Sequence, residues 1–222
     1  MTGLRSGGKV SSPMITERLG RALERPLERV VRVFAHVSPD VLTIVGLALN
    51  GVACALMALS GGPDYASPAL LRAGGIVALA ASVFDLLDGR VARLRGRSTS
   101  FGAYLDSTMD SYSDMVLFMG LLILYARLGR TPLMVLVWVA AFGAFMTSYA
   151  RARAESLIPR CTVGFLERPE RILLIVVGAL SNRMVAALWI IAVLSNLTAI
   201  QRVVYTYFEL KKRWSLAAEG SE

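Results

Sequence analysis

Apolar residues in this chain gather in blocks about as long as the ~20 residues a helix needs to cross a bilayer. The blocks lie at 41–60, 68–89, 104–126, 131–150, 169–182 and 184–207. A soluble domain of 222 residues, 55% of them hydrophobic, would lack the polar surface to cover its core. Mean hydropathy, at +0.56, points the same way. The fold class read from the sequence is therefore all-α integral membrane, with six transmembrane helices. The fifth block is the short one: Ile172 to Leu180 is a brief apolar run, and Ser181-Asn182-Arg183 could interrupt one long helix instead of separating two.

Residues 1–13 are rich in Gly and Ser and read as a flexible N-terminal tail. They lack the apolar stretch of a signal peptide, so the first membrane helix is expected to double as the targeting element. Over 14–37, Ile15, Leu19, Leu23, Leu27, Val30 and Phe34 recur every three or four residues, interleaved with Arg18, Arg21, Arg25, Arg29 and Arg32. That pattern predicts a juxtamembrane amphipathic helix lying in the interface, with Pro26 as a possible kink. The membrane domain runs over 38–210, and 211–222 forms a cytoplasmic tail.

Charge sets the orientation. With both ends inside, 20 of the 24 Lys and Arg residues fall on the inner side; Arg72, Arg127, Arg130 and Arg183 mark the outer ends. Positive residues resist translocation, so a multi-pass protein of the cell membrane is expected, with its inner side toward the cytoplasm. A net charge of +8 could serve nucleic acid, but in a membrane chain it suits loops facing anionic lipid. Membrane lipids, and no nucleic acid, are the expected partners. Cys54 and Cys161 have no metal-like spacing, and a single histidine, His36, rules out a multi-histidine metal site.

The chemistry is concentrated where the second span ends and the third begins. Asp85 and Asp88 are three residues apart, and Asp106 and Asp110 four apart, so each pair shares a helical face. A short connection returns the two helices side by side, and four carboxylates converge at the cytoplasmic end. Such a cluster needs neutralising, and with no Cys or His beside it, Mg²⁺ or Mn²⁺ suits it better than zinc. The plainer reading pairs these acids with Arg90, Arg93, Arg95 and Arg97 in a solvated loop. Helical phase on both flanks argues against that.

The run Asp85-x2-Asp88-Gly89-x2-Ala92-Arg93-x8-Gly102-x3-Asp106-x3-Asp110 resembles the complete signature of the CDP-alcohol phosphotransferase family. Members pass the phosphoryl-alcohol part of a CDP-linked alcohol to a second alcohol and release CMP. The resemblance implies that Asp85, Asp88, Asp106 and Asp110 hold divalent metal, with Asp110 also the general base. It implies CDP-alcohol contacts at Gly89, Ala92, Arg93 and Gly102, with Ala92 and Gly102 also allowing close helix packing. Pro39-Asp40-Val41-Leu42-Thr43 resembles the start of the family's first span, adding Asp40 and Thr43 to the nucleotide site. Thr99 stands where relatives place a small polar residue on the same ligand. Asp114 continues the acidic stripe outside the signature and is read as structural or supporting. Relatives often form homodimers.

Arginines suggest the acceptor. Ser148-Tyr149-Ala150-Arg151-Ala152-Arg153-Ala154-Glu155 ends the fourth span, and Glu167-Arg168-Pro169-Glu170-Arg171 opens the fifth, with Arg202 at similar depth. Facing inward, they would make a pocket for a phosphate; facing outward, they would touch lipid headgroups. Both runs are similar to the actinobacterial phosphatidylinositol phosphate synthases, which implies an inositol-phosphate pocket at Ser148, Arg151, Arg153, Arg168, Arg171 and Arg202. Arg151 replaces a frequent Lys, and residues 156–164 lack the relatives' glycine-rich stretch. The expected reaction transfers a phosphatidyl group from CDP-diacylglycerol to myo-inositol phosphate. Its rivals are glycerol 3-phosphate as acceptor, an archaetidyl (ether-lipid) donor and, in another class, a cation transporter or membrane scaffold.

Overall fold

A computed structural model describes residues 39–62, 66–94 and 99–219, with backbone alone at 39–40, 88–94, 214 and 216–219. The expected N-terminal tail and amphipathic helix lie outside the described residues. Six helices follow: α1 (Pro39–Leu59), α2 (Pro68–Leu94), α3 (Ser100–Arg127), α4 (Thr131–Glu155), α5 (Arg168–Leu180) and α6 (Met184–Glu219). An isolated bridge between Gly61 and Ala66 closes the α1–α2 turn.

Five of the helices are long and apolar enough to cross a membrane. The fifth expected span corresponds to α5, which has 13 residues and so reaches only about 20 Å, short of the ~30 Å hydrocarbon core. It is nevertheless a separate helix. Ser181 caps it, Asn182 takes a positive φ of 55°, and α6 restarts at Met184 against Gly178. In the other direction α6 is longer than expected and stays helical through Glu219.

Side chains set the directions of the bundle. Arg168 at the start of α5 bonds Asp85 of α2, while Ala179 near its end lies against Gly75; α5 therefore runs antiparallel to α2. Asn196 and Ser195 of α6 bond the carbonyl of Val139 and the hydroxyl of Thr147 in α4. The core between the helices holds Met57, Leu117, Leu121, Ile175, Leu188 and Ile191, all essentially inaccessible. Gly120 permits a close backbone approach of α3 to α1: a methyl group there would fall 2.7 Å from the carbonyl oxygen of Cys54. Outward, Ile76, Trp138, Phe142, Ile190 and Ile200 are exposed, the apolar surface a lipid-facing bundle presents. A groove of about 320 Å³ between α3 and α4 is lined by Met115, Phe118, Met119, Trp138, Phe142 and Phe145.

Candidate active site

The acidic stripe of α3 and the end of α2 meet the start of α5. Glu167 caps that helix, and its N–H donates to the Glu170 carboxylate at 3.0 Å. An acidic residue in the first turn also suits the positive end of the helix dipole. Because α5 begins there, Arg168 and Arg171 stand three residues apart on one face, toward α3.

Arg168 then reaches three carboxylates. Its Nη2 is 2.7 Å from Asp85, its Nη1 2.7 Å from Asp110 and its Nε 3.2 Å from Asp114. Asp110, Asp114 and Asp85 thus surround one half-buried guanidinium with negative charge. Arg171 is 1% exposed and pairs with the second oxygen of Asp114 at 2.7 Å. Its Nε is buried without a partner among the described residues.

The expected carboxylate convergence is present in its described part. Asp110 lies within electrostatic reach of Asp106, Asp85 and Asp114. Asp106 is exposed, while Asp85 and Asp110 are half-buried. The side chains of Asp40, Asp88, Gly89, Ala92 and Arg93 lie outside the described residues. The donor set fits a hard divalent cation, since residues 81–114 offer carboxylate oxygens and contain no Cys or His. Among the described residues no three potential ligands already form a cage; Arg168 is inserted between Asp85 and Asp110. Thr43 is half-buried on α1. Thr99 and Gly102 have a local function: Thr99 caps α3 by accepting the Gly102 N–H at 3.0 Å.

A second cluster adjoins the first through Glu167. Arg202, 2% exposed, donates to the carbonyl of Val163 at 2.9 Å and of Thr147 at 2.7 Å, and to Glu167 at 3.3 Å. Arg151 also donates to Glu167, at 3.3 Å, and to Glu155 at 3.1 Å. Ser148, the residue after Thr147, is half-buried. Arg153 is exposed and bonds Ser156 at 3.4 Å instead of joining this network. The connection before α5 is tied down as well, since the Thr198 hydroxyl accepts the N–H groups of Phe165 and Leu166 at 3.1 and 3.2 Å.

Three residues central to this geometry escape the signature. Glu167 gathers two arginines, Asp114 two others, and Gly46 makes room for Asp85. Asp114 continues the i, i+4 stripe from Asp106 and Asp110, a signal already visible in the sequence. Gly46 carried none, because nothing local to α1 announces which helix will press on it.

Known proteins share this architecture. The sequence pattern of the CDP-alcohol phosphatidyltransferase family matches residues 36–200. An archaetidylinositol phosphate synthase of Methanothermobacter thermautotrophicus is 41% identical, over 78% of this chain and 84% of its own. Two crystal structures of Mycobacterium tuberculosis phosphatidylinositol phosphate synthase superpose well. One has CDP-DAG bound: TM-score 0.68, 31% identity, 88% of this chain and 94% of that one. The other is a complex with manganese and citrate: TM-score 0.69, 32% identity, 87% and 89%. Sequence pattern, acidic stripe and helical architecture agree over most of the chain, and it belongs to the CDP-alcohol phosphatidyltransferase family.

Proposed function

We propose that this enzyme transfers the phosphatidyl group of CDP-diacylglycerol to a hydroxyl of myo-inositol phosphate, giving phosphatidylinositol phosphate and CMP. The acceptor oxygen bonds to the phosphorus of the phosphatidyl group, the pyrophosphate P–O bond breaks, and CMP leaves with its electron pair. The observation that carries this reading is a buried arginine next to the acidic cluster: Arg171 has an unpartnered Nε, and Arg168, one turn earlier, touches Asp110. A buried guanidinium with a spare donor suits the phosphate of an acceptor. The name of the M. tuberculosis relative agrees with that acceptor.

In this reading Asp110 takes the proton of the attacking hydroxyl. Asp85, Asp88, Asp106 and Asp110 hold Mg²⁺ or Mn²⁺, which when bound neutralises charge gathering on the leaving CMP. Asp40, Thr43, Gly89, Ala92, Arg93, Thr99 and Gly102 form the CDP-alcohol side, where Arg93 offers its planar fork to the phosphates and Thr99 shapes the start of α3. Ser148, Arg151, Arg153, Arg168, Arg171 and Arg202 form the acceptor side. The helices make six passes, with α5 completing the fifth, and the site faces the cytoplasm; the distribution of Lys and Arg supports this. Two copies pair as a homodimer, for which the aromatic α3–α4 groove offers an apolar face.

A substrate panel scored by CMP release tests the assignment. Inositol phosphate with CDP-diacylglycerol is expected to be the productive pair. Release with glycerol 3-phosphate and none with inositol phosphate would replace it by a phosphatidylglycerophosphate synthase. The archaeal relative supports a second reading, an ether-lipid donor, so the panel includes CDP-archaeol. An acidic ion-transport site fits less well, because transporters place ions near the bilayer midplane, and these aspartates fall toward helix ends.

A further inference from the structure

Asp114 lies outside the family signature, yet it is a buried carboxylate that holds two arginines. It is 4% exposed on α3, and its two oxygens hold different arginines: Oδ1 takes Arg168 Nε at 3.2 Å, and Oδ2 takes Arg171 Nη2 at 2.7 Å. Both arginines come from the first turn of α5, so one side chain of α3 sets where that turn points. Arg168 continues from Asp114 to Asp110 and Asp85, and the buried Nε of Arg171 has no partner among the described residues.

We infer that Asp114 is the positioning residue of the acceptor pocket, aiming Arg171 at the acceptor's phosphate and fixing its distance from Asp110. This rests on the reading that Arg171 binds a phosphorylated acceptor. The physical argument is one of rotamer freedom. An arginine has a long flexible stem, and binding a phosphate with a loosely held one pays for ordering it each time. A buried carboxylate on one Nη orders the guanidinium beforehand, while its Nε remains a buried donor without a partner among the described residues. Asp114 touches no substrate itself: it acts through Arg171 and Arg168, both on the acceptor side, so its loss is expected to fall first on acceptor binding.

A double-mutant cycle on the full-length protein tests this, with CMP release measured against acceptor concentration and, separately, against CDP-diacylglycerol. Asp114→Asn is expected to raise the acceptor KM about tenfold or more, while kcat and the CDP-diacylglycerol KM stay within about twofold. Mn²⁺ affinity, read by electron paramagnetic resonance without turnover, is also expected to hold. Removing one member of a buried pair can unfold a protein, so the decisive variant is Asp114→Asn combined with Arg171→Gln, which removes both charges. Its acceptor KM should lie close to that of Arg171→Gln alone, because the guanidinium that Asp114 aims at the phosphate is then gone and only its bond to Arg168 is lost in addition. Additive effects in the cycle, or equal losses toward both substrates, would overturn the role of Asp114. Wild-type enzyme that releases CMP with no phosphorylated alcohol would overturn the acceptor reading, and this inference with it.

Discussion

Gly46 of α1 stands directly against Asp85 of α2: a methyl group on Gly46 would lie 2.6 Å from the Asp85 Oδ1. The carboxylate is held from its other side by Arg168 at 2.7 Å, so it cannot give way without breaking that pair. Gly46→Ala therefore strikes the site more than the fold. CMP release is expected to fall by roughly 10- to 100-fold, the scale of an ångström's misplacement at a reacting centre, with little change in melting temperature. Full activity in this variant would show that the close approach is dispensable.

Asp110→Asn keeps the shape of the side chain and removes its basicity. Loss of a general base lowers kcat by about 10²–10⁴-fold, and binding of CDP-diacylglycerol should survive. Rapid-quench measurement of CMP formation separates the two. An unimpaired chemical step would end the assignment of Asp110 as base.

Chelation provides an independent test of the acidic cluster. With EDTA, CMP release should stop, and Mg²⁺ or Mn²⁺ should restore it, because carboxylate oxygens suit hard cations. Bound Mn²⁺, followed by its paramagnetic signal, should weaken in Asp85→Asn and Asp106→Asn and persist in Arg151→Gln. Activity unchanged by chelation would exclude the metal from this site.

Arg202→Lys preserves charge but not the planar fork. The arginine ties α6 to the Val163 and Thr147 carbonyls at once, and an ammonium cannot reproduce that geometry. Charged hydrogen bonds of this kind contribute about 1.5–3 kcal/mol each, so a lower melting temperature in detergent is expected. Faster proteolysis within 156–167 should accompany it, since that connection loses an anchor. A protease-resistant variant with a wild-type melting point would contradict the anchoring role.

Much of the site was legible from spacing. Asp106 and Asp85 both lie within electrostatic reach of Asp110, and for Asp106 and Asp110 that follows from their i, i+4 phase. The helix starts after Thr99 and Glu167 lie a few residues from the expected span ends, because local capping chemistry decides them. Arg153 fared differently from Arg151, although both end α4: two residues apart, they point to different sides of a helix, and only Arg151 joins Glu167. The short α5 was the weak point of the hydropathy reading. Its length depends on where capping at Glu167 and the turn at Asn182 place its ends.

By itself the sequence determined that the chain is a membrane bundle and that acids cluster where α2 gives way to α3. Both follow from properties local to a segment: hydropathy over about 20 residues and the 3.6-residue helical period. The tertiary structure alone decided which distant groups meet them. Arg168 is separated from Asp85 by 83 residues and from Asp114 by 54, and Gly46 matters only because α2 packs against it. Such partners depend on which helix faces touch, and helix packing is settled by the fit of many side chains at once, not by any one segment.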